Sequence, residues 1–79
     1  MSGRETFAPA RMVVARNMRR FRRAAGLSQA AAAEAVGVRR ETVTEIEARR
    51  RSVRAEELPA FARAYSVPVE RLLHGTETL

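Results

Sequence analysis

The sequence predicts an all-α fold, a single bundle of five short helices. Apolar residues recur at spacings of three and four through most of the chain, the period of one face of a helix. No segment alternates apolar and polar residues as a half-buried strand requires, and no internal repeat is present. Glycine, serine and proline fall between the periodic segments, where helices must end and begin. At 79 residues the chain forms one domain, and a domain of this size buries only about 60% of the surface its unfolded chain exposes. There is room for one modest core and none for a sensory module, a large ligand cavity or a catalytic cleft. The expected function is therefore recognition by a surface.

Residues 1–10, MSGRETFAPA, mix Gly3, Pro9 and small polar residues without a period and are expected to form a flexible N-terminal arm. Two readings of that arm stand: a terminus without a role, and a basic arm whose Arg4 enters a minor groove. A first helix is expected over residues 11–25. At about 100° per residue, Val14, Met18, Phe21 and Ala25 share one stripe and Arg16, Arg19, Arg20 and Arg23 lie opposite, in solvent. Arg22 falls at the edge of the apolar stripe, where an unpaired charge is costly, and so needs an acidic partner from elsewhere in the fold.

Gly26 is expected to cap the first helix and Ser28 the second, which continues to about Ala35 through four consecutive alanines and can be approached closely by a neighbour. Gly37 supplies the left-handed backbone of a tight turn, and Val38 anchors the exit. The third helix, residues 40–48, places Val43, Ile46 and Glu47 on one side and Glu41, Thr44, Glu45 and Ala48 on the other, with Arg40 at the border. Glu47 joins an apolar face as Arg22 does, so the two are expected to form a partly buried structural ion pair between the first and third helices.

Arg49, Arg50, Arg51 and Arg54 make a basic connection to a fourth helix, residues 55–65. That helix turns Leu58, Phe61, Ala62 and Tyr65 inward and carries Glu56 and Glu57 in its first turn, where the helix dipole favours acids. Pro59 is tolerated because it lies near that first turn. After a break at residues 66–68, Val69, Leu72 and Leu73 mark a last short helix ending by Gly75. The domain thus spans residues 11–75, with residues 76–79 as a tail.

The formal net charge is +6, and all 15 basic residues are Arg and all 9 acidic ones Glu. A GC-rich coding sequence favours arginine, but a guanidinium also forks onto phosphate or a guanine edge as an ammonium cannot. The charge suits a polyanion, and membrane surfaces and acidic proteins share that sign. Without cysteine, disulfides and thiolate metal sites are excluded. His74, the only histidine, has no Cys, Asp or second His to complete a triad or a metal site, so no enzyme, metal or cofactor is expected. Neither a signal peptide nor a run of roughly 18 apolar residues is present, and the expected location is cytoplasmic, in a bacterium or encoded by a phage.

Two helices that meet steeply through a short turn need a small residue where they touch, a glycine in the turn, and apolar residues at fixed offsets. Counted from Gln29, those demands are met by Ala33, Gly37, Val38, Val43 and Ile46. Over residues 14–73 the chain resembles the phage-repressor and Cro-type helix-turn-helix family, the XRE family. It shares the Arg22 position, G-L-S-Q from Gly26 to Gln29, the Ala33 and Gly37 pair, the I-E step at Ile46 and Glu47, and the L-L ending at Leu72 and Leu73.

The resemblance implies a five-helix lambda-repressor-like bundle whose third helix enters the DNA major groove while the second lies across the backbone. It implies phosphate contacts by Ser28 and Gln29 at the start of the second helix, and by Arg50 and Arg51 after the third. Arg39, Arg40, Glu41, Thr44 and Glu45 would face base edges. Arg40 best suits a bidentate contact to guanine and Thr44 a thymine methyl, while Glu41 or Glu45 would accept from cytosine. Glu45, four residues before Arg49, has a purely helix-supporting reading as well. The chain departs from the family at Arg39, where a small N-cap is usual, at Arg49, often a glycine, and at Ala32, in place of a leucine whose volume a neighbour such as Met18 must fill.

The function so implied is that of a sequence-specific double-stranded DNA-binding transcriptional regulator, a repressor acting as a homodimer on a palindromic operator. Tyr65, Val69, Leu72 and Leu73 are expected either at the dimer surface or in the core. A controller protein of a restriction-modification system, a phage or plasmid repressor, and an antitoxin with a toxin partner stay open. From another class, so does a protein-interaction module that retains the fold.

Overall fold

Helix propensity, caps and a single apolar interior together set the architecture. A computed structural model describes residues 3–76, with side chains from Pro9 onward. The described residues form α1 (Gly3–Ala24), α2 (Gln29–Val36), α3 (Arg40–Glu47), a 3₁₀ turn (Ala55–Glu57), α4 (Leu58–Tyr65) and α5 (Val69–Leu73), with no strand among them. None of these helices is long and apolar enough to cross a membrane.

The flexible arm expected over residues 1–10 is corrected for residues 3–10, which are the first turns of α1; residues 1 and 2, and the side chain of Arg4, lie outside the described residues. The backbone hydrogen bonds of a helix are internal, so a segment with no apolar period in its sequence can still be helical. Pro9 interrupts that ladder at one donor without ending the helix. At the other end of α1, Ala25 is exposed and lies past the last helical residue.

α1 stops through Gly26, whose φ of 74° is left-handed, with the Gly26 N–H donating to the Arg23 carbonyl at 2.9 Å. α2 starts on Ser28, whose Oγ accepts from the Ala31 N–H at 3.0 Å, and stops at Gly37 with φ 87°. The N–H groups of Gly37 and Val38 both donate to the Ala33 carbonyl, at 2.8 and 3.0 Å. A Cβ at Gly37 would meet nothing within 4 Å, so the backbone angle rather than space requires glycine there.

α2 packs on α3 and on α4, while α1 packs on α5, α3 and α4. The core between them holds Met18, Phe21, Ala32, Ala33, Val43, Ile46, Phe61, Ala62, Tyr65 and Leu72. Phe61 and Tyr65 stack tilted, with ring centroids 5.8 Å apart. The expected fourth helix begins one turn tighter, as the 3₁₀ turn, before α4 proper. Buried Asn17 fastens α1 to the far end of the chain by donating from Nδ2 to the carbonyls of Leu72 and His74, each at 2.9 Å. Thr76, assigned to a tail, folds back instead: its Oγ1 donates to the Leu73 carbonyl at 2.7 Å. Residues 77–79 lie outside the described residues.

Tyr65 and Leu72, offered above as dimer contacts or core, are 3% and 0% exposed and belong to the core. Val69 and Leu73 remain half-buried and keep apolar surface to offer.

Candidate nucleic-acid interface

The interface is built on the outward side of α3 and the capped start of α2. The apolar positions Val43 and Ile46 fix which way α3 faces, since both are buried. With that side inward, Arg39, Arg40, Glu41, Thr44 and Glu45 are all exposed. Arg39 precedes the helix in extended backbone and offers no side-chain cap; only its carbonyl is used, by the Thr42 N–H at 3.0 Å. Its guanidinium is free of any capping duty.

The orientation of α3 is locked from behind. Arg22 Nε donates to Glu47 Oε2 at 2.7 Å and Nη2 to Oε1 at 3.0 Å, while Nη1 donates to the Leu27 carbonyl at 2.7 Å. The hydrogen bond to Glu47 raises the Arg22 guanidinium pKa against the opposing effect of burial, so Arg22 keeps its charge. From this buried pair a polar chain runs outward. Gln29 Nε2 donates to Glu47 Oε1 at 3.2 Å, and Thr44 Oγ1 lies 3.1 Å from both Gln29 Oε1 and the Arg40 carbonyl, with one proton to give.

The Gln29–Thr44 contact is the element that reading the sequence missed. The two residues are 15 positions apart on different helices, and only the crossing of α2 over α3 brings them together. Half-buried Gln29 at the first position of α2 and exposed Ser28 before it present the helix N-terminus, the end that favours an anion.

Beyond α3 the two expected phosphate ligands differ. Arg50 is exposed and its backbone N–H closes the helix on the Glu45 carbonyl at 2.9 Å. Arg51 turns back into the protein: Nη1 and Nη2 grip Glu57 at 3.0 and 2.8 Å, and Nη1 also reaches the Ser52 carbonyl at 3.2 Å. Those hydrogen bonds raise the Arg51 pKa and hold the Glu57 carboxyl below the usual carboxylate range, helped by the Arg54 N–H at 2.9 Å. Between them and the helix sits Arg49 with φ 66°, left-handed backbone that a non-glycine residue adopts at a cost. Among the described residues no cluster of His, Cys, Asp or Glu is arranged to hold a metal ion.

A family model described as a helix-turn-helix domain matches residues 13–74. The crystal structure of the hypothetical transcription factor NHTF from Neisseria is similar at 34% identity and a TM-score of 0.77, over 81% of this chain and 74% of that one. No curated protein matches the sequence.

Proposed function

The chain belongs to the helix-turn-helix domain family, and from that premise, which makes it a DNA-binding transcriptional regulator, we propose that it represses transcription as a homodimer on a palindromic operator. One observation carries the reading: the outward side of α3 is wholly exposed and is held at a fixed angle to the α2 N-terminus by the Arg22, Glu47 and Gln29 contacts. A helix so held enters a major groove while Ser28 and Gln29 meet the backbone beside it.

In this reading Arg40 makes the bidentate contact to guanine, worth about 1–3 kcal/mol of discrimination, and Thr44 touches a thymine methyl. Arg39 reaches a base edge or the flanking phosphate. Glu41 or Glu45 accepts from cytosine and disfavours guanine and thymine, whose major-groove edges offer no donor. Arg50 grips phosphate, and Arg51 shapes the loop that presents it. Val69 and Leu73 supply the apolar surface of the dimer, which sets two α3 helices about one helical turn of DNA apart.

The test is equilibrium binding to a duplex from the upstream region of its own gene against random duplex. The reading requires preference for the former, loss of that preference in Arg40→Ala, and uniform weakening in Arg50→Ala. Equal affinity of the wild type for both duplexes overturns it. Sedimentation of the free and the DNA-bound protein decides the dimer, and a monomer in both states removes that part.

A further inference from the structure

A groove of about 750 Å³ lies between the outer side of α1 and the end of α3. Arg16, Arg19, Arg20 and Arg23 line it from α1, and Glu47 and Arg49 from the end of α3. All five arginines are exposed. Their one acid, Glu47, is already held in two hydrogen bonds by Arg22 and has a side chain only 5% exposed. Arg20 rests on the Phe21 ring at 4.9 Å, and Arg16, Arg19, Arg23 and Arg49 have no ion-pair partner among the described residues. Like charges lining one concavity repel each other, and low-dielectric walls concentrate their field on whatever anion enters.

We infer that this groove is a second seat for the phosphate backbone of duplex DNA, beside the base-reading face and independent of base sequence. The inference rests on the reading of α3 given above and extends it to α1. Position favours duplex over other polyanions. The groove shares Glu47 with Gln29, which stands at the α2 N-terminus, and it ends at Arg49, next to Arg50. A strand passing those two phosphate contacts therefore runs into it. Reach agrees: from Arg16 to Arg23 a helix rises about 10 Å, long enough to meet more than one phosphate of a strand.

The experiment compares wild type with the triple variant R16Q/R19Q/R23Q, all at exposed positions, with circular dichroism to show that the fold is kept. Binding to a random-sequence duplex is measured across salt concentrations. The expected result is a slope of log K against log salt shallower by about 2 to 3, since each neutralised phosphate contributes about 0.9. The charge-keeping triple lysine variant R16K/R19K/R23K retains the slope, and R63Q/R71Q, which removes charge from α4 and α5, leaves it unchanged.

A slope unaltered in R16Q/R19Q/R23Q overturns the inference, as does one altered equally in R63Q/R71Q. Poly-L-glutamate serves as the competing probe. If it binds wild type and loses to the triple variant while the DNA slope stays fixed, the groove belongs to an acidic protein and the inference falls. Because random duplex is the probe, this outcome is read whether or not the protein prefers its own upstream DNA. Failure of the repressor reading is therefore distinguishable from failure here.

Discussion

Arg22–Glu47 and Arg51–Glu57 have the same chemistry, a guanidinium forked onto a carboxylate, and hold different things. The first joins residues 25 apart on α1 and α3, with side chains 10% and 5% exposed. The second joins residues six apart across a loop, with side chains 24% and 16% exposed. Removing one partner of the inner pair leaves a charge stranded in the core and frees α3 to turn; removing one of the outer pair leaves a charge that water can reach. Burial and the length of chain enclosed, not the pairing itself, decide what each one is worth.

The largest expected break of that contrast is Glu47→Ala. It should lower stability by about 3–5 kcal/mol, read as a fall in the urea midpoint, because Arg22 is left buried without its carboxylate. It should also abolish specific DNA binding under conditions where the variant is still folded, because Gln29 loses its anchor. Arg49→Gly tests the junction between the two pairs. Relief of left-handed backbone at φ 66° should raise stability by about 1 kcal/mol, and a fall in the melting temperature would show that the Arg49 side chain makes good the strain.

Arg51→Ala should cost about 0.5–1 kcal/mol at neutral pH, several-fold less than the inner pair. Its pH dependence is more telling. The Glu57 carboxyl titrates lower in the fold than in the unfolded chain, so its contribution is present above the unfolded pKa of about 4.3 and is lost as pH falls through the folded value. Wild type should therefore lose stability more steeply than Arg51→Ala on acidification below about pH 4. Parallel curves would mean that the pair holds nothing.

The smallest effect concerns Tyr65, whose hydroxyl is buried with no hydrogen-bond partner among the described residues. Burial, then the nearby Glu47 charge, pushes its pKa up to about 12. Its neutral form is the one the fold accepts, so stability is lost as pH rises from the unfolded value near about 10 through the folded one. Tyr65→Phe should change neutral-pH stability by no more than about 0.5 kcal/mol and should flatten that alkaline limb. A large loss in Tyr65→Phe would reveal a partner for the hydroxyl and bring Tyr65 into the inner pair's network.

Local chemistry made much of the bundle legible in advance. Gly37 and Ser28 declare a turn and a cap through backbone angle and side-chain reach, and two helical angles suffice to direct Arg22 and Glu47 toward each other. What depends on assembly was not legible. The start of α1 at Gly3 carries no apolar period to read. Glu57 looks like a dipole-favoured first-turn acid, and only the path of the loop delivers Arg51 to it. Tyr65 and Leu72 share an apolar pattern with Val69 and Leu73, and the packing of α5 on α1 and α4 decides which of them face inward.

The chain of contacts from Thr44 through Gln29 to Glu47 has a thermodynamic consequence for recognition. Gln29 is already hydrogen-bonded to Thr44 and to Glu47 within the protein, so on the proposed reading a phosphate contact by Gln29 exchanges a partner and does not add one, while Thr44 keeps its hydrogen bonds and offers its methyl. The enthalpy gained on the correct site is correspondingly modest, but so is the rotamer entropy lost, because both side chains are preorganised. On that reading selectivity comes from the wrong sites: a duplex that disturbs the internal hydrogen bonds without replacing them is penalised.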